Sequence, residues 1–233
     1  MSASPAGTAP GTDRAGGLSA RSLYRFYRAG GEETLALQGV SLDVAPGEFV
    51  AVVGPSGSGK STLLACLAGL DEPDGGTVTV GGEQMSHRPE PVRARIRART
   101  VGFLFQSGNL LEHLTVADNV VLAQELADRA TRPDPSDVLA SVGLTDRARS
   151  RPSTLSGGES ARAGLAVALA NDPAVLLADE PTGELDSATE DVVLDLLLGA
   201  AERGTAVLVA SHSPAVAAVA DRIVTLTDGR IVT

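Results

Sequence analysis

Four short stretches of the chain are apolar almost without interruption: Glu48–Val53, Val101–Phe105, Ala174–Ala178 and Ala206–Ala210. Runs of this length with no polar alternation read as strands buried on both faces, which is the mark of a parallel sheet. Between them the period lengthens to a helical one, over Leu63–Gly69, over about 110 to 150 with breaks at Pro133, Pro135 and near Gly143, over Ala161–Ala170 and over Glu190–Ala201. Thr34–Val44 alternates as a half-buried strand does, and Gly75–Gly82 is a short strand between glycine turns, expected at an antiparallel edge. Ile223–Val232 reads as a hairpin turning at Asp228-Gly229. Strands interleaved with helices predict an α/β domain over 18–233, with the helical stretch at about 107–155 inserted into it. Residues 1–17, made of Ala, Gly, Ser, Thr and Pro with almost no apolar side chains, are expected to be a disordered tail.

Composition narrows the function classes. No stretch approaches 18 uninterrupted apolar residues, so no membrane span is expected, and no basic start followed by an apolar run suggests secretion. The single cysteine, Cys66, rules out an intrachain disulfide and is expected as a small core residue in a reducing cytoplasm. A net charge of −10 argues against non-specific binding to nucleic acid or anionic lipid, while leaving open docking against a membrane protein. With 3% aromatic residues and no Trp, stacking platforms for single-stranded nucleic acid are scarce.

The first candidate chemistry lies at Gly54, Pro55, Ser56, Gly57, Ser58, Gly59, Lys60, Ser61 and Thr62. Glycines at this spacing let consecutive backbone N–H groups face a phosphate. Lys60 can then reach the β and γ phosphates, and Ser61 can offer its hydroxyl to Mg2+. A buried strand precedes the loop and a helix follows it, so the helix N-terminus adds its own partial positive charge. All 19 basic residues except Lys60 are arginine. Retaining lysine at this one place points to a compact charge on a flexible stem, which a planar guanidinium does not supply.

The other candidates stand at strand ends and helix starts. Asp179 and Glu180 close an apolar strand, where two adjacent acids are costly unless they serve a cation. Asp179 is read as a Mg2+ ligand through water and Glu180 as the general base on the attacking water. Gln106 ends another strand and can accept from a metal-bound water. His212 ends a third, where open α/β sheets bind ligands, and can hold the γ phosphate from the far side. Ser156, Gly157, Gly158 and Glu159 precede a second helix, with Ser156 placed to cap and to donate. Since the chain already has one phosphate cradle, this second anion site is best explained as serving a nucleotide held by another copy. Leu185-Asp186 opens the next helix and can touch that copy. Tyr27 is either an adenine-stacking residue or ordinary sheet packing. Arg93, Arg95, Arg97 and Arg99 form either a solvated face or a basic edge.

Taken in order, the loop at 54–62, Gln106, Leu155–Glu159, Asp179-Glu180, Leu185-Asp186 and His212 resemble the nucleotide-binding subunit of ATP-binding-cassette (ABC) transporters over about residues 20 to 233. The resemblance implies a P-loop NTPase (RecA-like) core with an antiparallel β subdomain and an inserted α-helical subdomain. It also implies ATP and Mg2+ as ligands, ATP hydrolysis with Lys60, Gln106, Glu180 and His212 in the catalytic set, and Ser61, Gln106 and Asp179 at the metal. By the same likeness Tyr27 stacks on adenine, and Asp186 joins the nucleotide site. VSLDVAPGEFVAVVGPSGSGKSTLL, GFLFQ, LTVADNV and LADEPTGELDS are most similar to the macrolide-export, lipoprotein-release and cell-division branch. That branch implies an ATP-dependent head-to-tail homodimer on a separately encoded integral-membrane permease, at the inner face of the membrane, without nucleic acid as a partner. A regulatory module acting on an extracytoplasmic partner with little transport is the alternative. The chain departs from the family pattern at Ser160, Ala161, Val167, Glu184, Ser211 and Ser213, none of which removes a group assigned to the chemistry.

Overall fold

The apolar runs pair as parallel strands and gather their C-terminal ends on one edge. In a computed structural model, which describes residues 16–29, 32–127 and 132–232, the chain begins with two long paired strands, β1 (Leu18–Ala29) and β2 (Glu32–Val44). Then come β3 (Phe49–Val53), α1 (Lys60–Leu67), β4 (Gly75–Val80), β5 (Glu83–Gln84), α2 (Glu90–Thr100) and β6 (Val101–Leu104). The helices α3 (Val116–Ala127), α4 (Pro135–Ser141) and α5 (Gly157–Leu169) follow before β7 (Val175–Asp179). The chain closes with α6 (Ser187–Glu202), β8 (Ala206–Ala210), α7 (Pro214–Val219), β9 (Arg222–Thr227) and β10 (Arg230–Val232). The larger sheet has the order β10-β9-β3-β8-β7-β6 and is parallel except for β10. The smaller is antiparallel, β2-β1-β4-β5.

Sequence and structure differ in instructive places. β4 lies inside the small sheet between β1 and β5, and the two-residue β5 forms the edge instead. Helix α1 starts at Lys60, three residues before its apolar run, because Gly59 at φ 103° turns the chain straight into it. Helix α5 starts at Gly157, so the glycines belong to its first turn. Arginines 93 to 99 occupy α2, where alternate residues cannot share a face. Arg93 and Arg97 pair with Glu90, Arg93 also with Glu72, and Arg99 with Glu83. At the C-terminal hairpin, Asp228 and Gly229 both take positive φ, 47° and 71°, as a primed two-residue turn requires. The expected tail falls almost wholly outside the described residues.

Three apolar cores hold these layers. The first fills the space between the two sheets around α1, with Leu37, Val40, Leu63, Leu67, Val78 and Leu177 fully buried. The second covers the opposite face of the large sheet, where Phe49, Leu176 and Val209 meet Leu165 of α5 and Leu197 of α6. The third joins α3 and α4 to α5 through Val116, Val120, Leu139, Ala163 and Ala166. Polar side chains satisfy the backbone at this junction: Gln124 of α3 donates to the Pro133 and Ala170 carbonyls, and Asn171 donates to that of Ala123.

Helix α5 sits close on β6 because Gly102 has no side chain. A Cβ there would run into the Ala168 carbonyl oxygen and stand 3.0 Å from Leu176 Cδ1. Gly102→Ala is therefore expected to push α5 off the sheet and lower stability by roughly 1–3 kcal/mol, measured by urea unfolding. Unchanged stability would show that the contact does not set the position of α5.

Candidate functional site

The loop between β3 and α1 turns on glycines and leads directly into a helix N-terminus. Gly57 and Gly59 have φ of 78° and 103°, and a Cβ on Gly59 would press on the Ala36 carbonyl oxygen at 2.5 Å. No side chain caps α1, so the N–H groups of its first turn are left to an external acceptor. Lys60 Nζ donates to the carbonyls of Gly54 (2.8 Å) and Pro55 (3.3 Å), folding its charge back over the loop. The Ser58 hydroxyl, on a residue only 3% exposed, has no hydrogen-bond partner among the described residues. Gly229 N–H donates to the Ser58 carbonyl, which ties the loop to the β9-β10 turn.

Strand register brings further residues to the same edge. Val52 of β3 and Asp179 of β7 both stand opposite Ala210 of β8, and Leu104 of β6 stands opposite Ala178. The turn at Lys60, Gln106 after β6, Asp179-Glu180 after β7 and Ser211-His212 after β8 consequently leave the sheet side by side. Glu180 is held at φ 47°, a left-handed conformation that costs a non-glycine residue about 1 kcal/mol or more. Its N–H donates to the Ala210 carbonyl at 2.8 Å. Glu180 Oε2 accepts from Ser211 Oγ (3.2 Å) and from the His212 N–H (3.3 Å), with His212 Nδ1 2.9 Å away. Glu180 is 15% exposed at the side chain and His212 71%, so the histidine covers the acid from the solvent side. A cleft of about 230 Å³ then opens among Gln106, Gly157, Ser160, Glu180 and Glu184.

Around α5 the geometry is different. Ser156 Oγ accepts from the Glu159 N–H, and Glu159 Oε2 accepts from the Ser156 N–H at 2.9 Å, a complete capping box. Arg147 donates to Glu159 Oε1 at 2.7 Å. Both carboxylate oxygens of Glu159 are thus engaged within the chain. The Ser156 N–H bond and then Arg147 hold the Glu159 carboxyl down at about 2. Ser156, Gly157 and Gly158 face Leu185 and Asp186 across a groove of about 610 Å³, and Gly158 lies against the Thr189 side chain. Asp186 caps α6 through the Thr189 N–H at 2.9 Å. Among the described residues no hydrogen bond joins Ser156 to the loop that holds Lys60.

Tyr27, on β1, is 39% exposed. Its hydroxyl donates to Asp71 Oδ2 at 2.8 Å, and burial raises the phenol above its usual range. Cys66, buried in α1, has its thiol pushed up to about 12 by burial, as an inert core residue would. Three supporting groups escaped the sequence reading. Asn109 clamps the strand before Gln106 by bonding both the N–H and the carbonyl of Phe105. Glu190 accepts from Thr182 and Ser213, joining the segment after Glu180 to the one after His212. Arg25 lies over the Tyr27 ring. Only Arg25 left a trace in the sequence: two positions before Tyr27, it shares a strand face with it.

Comparison with known proteins follows the same outline. Residues 37–183 match the family pattern described as "ABC transporter". An uncharacterized ABC transporter ATP-binding protein of Mycobacterium tuberculosis is 43% identical over 91% of this chain and 87% of its own length. The lipoprotein-releasing system ATP-binding protein LolD 2 of Caulobacter vibrioides is 42% identical over 92% of this chain and 96% of its own. The macrolide export ATP-binding/permease protein MacB of Salmonella choleraesuis is 43% identical over 91% of this chain, which spans 33% of that protein. A post-hydrolysis dimer of the cassette MJ0796 bound to ADP and Pi superposes with a TM-score of 0.86 at 35% identity, over 93% of this chain and 97% of that one.

The capping box carries a pH signature. A depressed folded-state value means that Glu159 stabilises the fold fully above its ordinary 4.5 and loses that contribution as pH falls toward about 2. Glu159→Ala is expected to lower Tm near neutral pH, with the gap to wild type closing as the buffer is taken from about pH 5 toward pH 2.5. A gap independent of pH would mean that the carboxylate charge is not what holds the cap.

Proposed function

Because the chain belongs to the ABC transporter family, as its ATP-binding, ATP-hydrolysing subunit, we propose that it works as a head-to-tail homodimer closing over two Mg-ATP and driving a separately encoded permease. The observation carrying this reading is the split between the two helix N-termini. The uncapped one at Lys60 shares a sheet edge with Gln106, Asp179, Glu180 and His212, while the one at Ser156 opens on a groove of its own beside Asp186. A second copy brings its Ser156 groove to the first copy's Lys60 loop, and each site is then complete.

In that site the residues from Gly54 to Thr62 wrap the phosphates with backbone N–H groups, and Lys60 swings from the Gly54 carbonyl to the β and γ phosphates. Ser61, Gln106 and Asp179 offer only hard oxygen donors, which suits Mg2+. Among the described residues no cluster of three or more acids, histidines and cysteines could trap a metal unaided, which fits an ion arriving with the nucleotide. When bound, the ion neutralises phosphate charge. Glu180 accepts a proton from the attacking water, and His212 holds both that carboxylate and the γ phosphate. Tyr27 stacks on the adenine. Ser156, with the Gly157 and Gly158 N–H groups, grips the γ phosphate from the partner side.

We place residues 18–233 in one cassette, with about 107–155 as its helical subdomain. No helix among the described residues is long and apolar enough to cross a membrane; in this reading the coupling is to a permease at the inner face. Likeness to lipoprotein-releasing and macrolide-export proteins supports an exporter of that type.

Glu180→Gln is expected to lower kcat by roughly two to four powers of ten. It should also convert the protein from monomer to dimer on adding saturating Mg-ATP, read by light scattering after size exclusion. A variant that stays monomeric under conditions in which wild type turns over would overturn the shared site.

A further inference from the structure

The ring of Tyr27 is more firmly held than a packing tyrosine needs. Asp71 Oδ2 accepts from both the Tyr27 hydroxyl and Arg25 Nε, each at 2.8 Å. Asp71 Oδ1 meets Arg25 Nη2, also at 2.8 Å, completing a fork-on-fork pair. Arg25 Nη1 then reaches Asp74 Oδ2 at 3.0 Å, and that same oxygen accepts from the Phe26 N–H at 2.8 Å. So fixed, the Arg25 guanidinium stands 4.7 Å from the centre of the Tyr27 ring. Asp71 is anchored in turn, since its N–H donates to the Ala65 carbonyl of α1. Tyr27 is thereby linked through Asp71 to the helix that follows the glycine-rich loop. With Arg25 on one face and 39% of the residue still exposed, the ring keeps a surface free for a ligand.

We infer that Arg25 and Asp71 are positioning residues for the nucleotide base, holding Tyr27 as a preset stacking platform at a fixed distance from the phosphate loop. This rests on the proposed role of Tyr27 at adenine. A mobile tyrosine would lose side-chain entropy on each binding event, whereas one immobilised by a hydrogen bond to Asp71 and a cation beneath its ring has already lost it. The arginine also draws on the ring's negative face, so the platform depends on charge as well as on shape.

The test separates base from phosphate. Dissociation constants for Mg-ATP and for magnesium tripolyphosphate, which has no base, are measured by calorimetry on wild type, Asp71→Asn, Arg25→Gln, Arg25→Lys and Tyr27→Ala. Asp71→Asn and Arg25→Gln should weaken ATP about five-fold and leave tripolyphosphate unchanged. Their ATPase KM should rise while kcat holds, and Arg25→Lys, keeping the cation, should recover part of the loss. Equal weakening of both ligands, or ATP affinity unchanged in both variants while Tyr27→Ala loses it, would overturn the inference. If Tyr27→Ala itself leaves the ratio of the two constants at the wild-type value, the stacking reading falls and the inference with it. Should Asp71→Asn not fold, the Arg25 pair carries the same comparison.

Discussion

The parallel pairing of β3, β8 and β7 is the constraint on which the rest depends. These strands are apolar on both faces and almost wholly buried, so the sheet interior has no place for charge. Every polar group the chain needs must sit where a strand ends and water or ligand can reach it. Because the strands are parallel and in register, their C-terminal ends arrive together, and residues more than a hundred positions apart come to one edge. The left-handed turn at Glu180 follows from this crowding. The backbone is bent where the buried strand stops, and the bonds from Ser211 and His212 hold the carboxylate in the resulting position.

The two helix N-termini that flank the site are finished in opposite ways. Helix α1 begins on a glycine, which has no side chain to cap with, and among the described residues no side chain caps its first-turn donors. Helix α5 begins on a serine in a full capping box, with Glu159 and Arg147 around it. The first needs an anion to be satisfied. The second is stable without one and can present Ser156 on a well-ordered turn. In the proposed dimer, a grip made of one demanding and one self-sufficient half would suit an assembly that opens as well as closes.

Side chains outside the glycine-rich loop tie the surrounding segments together. Glu190 bridges the segment after Glu180 to the one after His212, and Asn109 fixes the strand end before Gln106. Gly102 lets α5 lie close enough to β6 for its first turn to line a cleft with Gln106 and Glu180. Each acts on a neighbour rather than on a ligand, by setting where that neighbour stands.

Local pattern determined the elements and most of the candidate groups. Short apolar runs bounded by turn residues read as strands shielded on both sides, glycine spacing around Lys60 reads as a tight turn, and Asp228-Gly229 specifies its own hairpin. Tertiary structure decided what no local window contains. It set β4 inside its sheet rather than at the edge and spread the α2 arginines over carboxylates up to 21 positions away. It brought Asp71 under Arg25 and Tyr27 from 44 to 46 positions along the chain. The physical reason is the same in each case. Periodicity records which side of an element is buried, but the partner that meets it is chosen by packing between segments whose separation in sequence leaves no periodic trace.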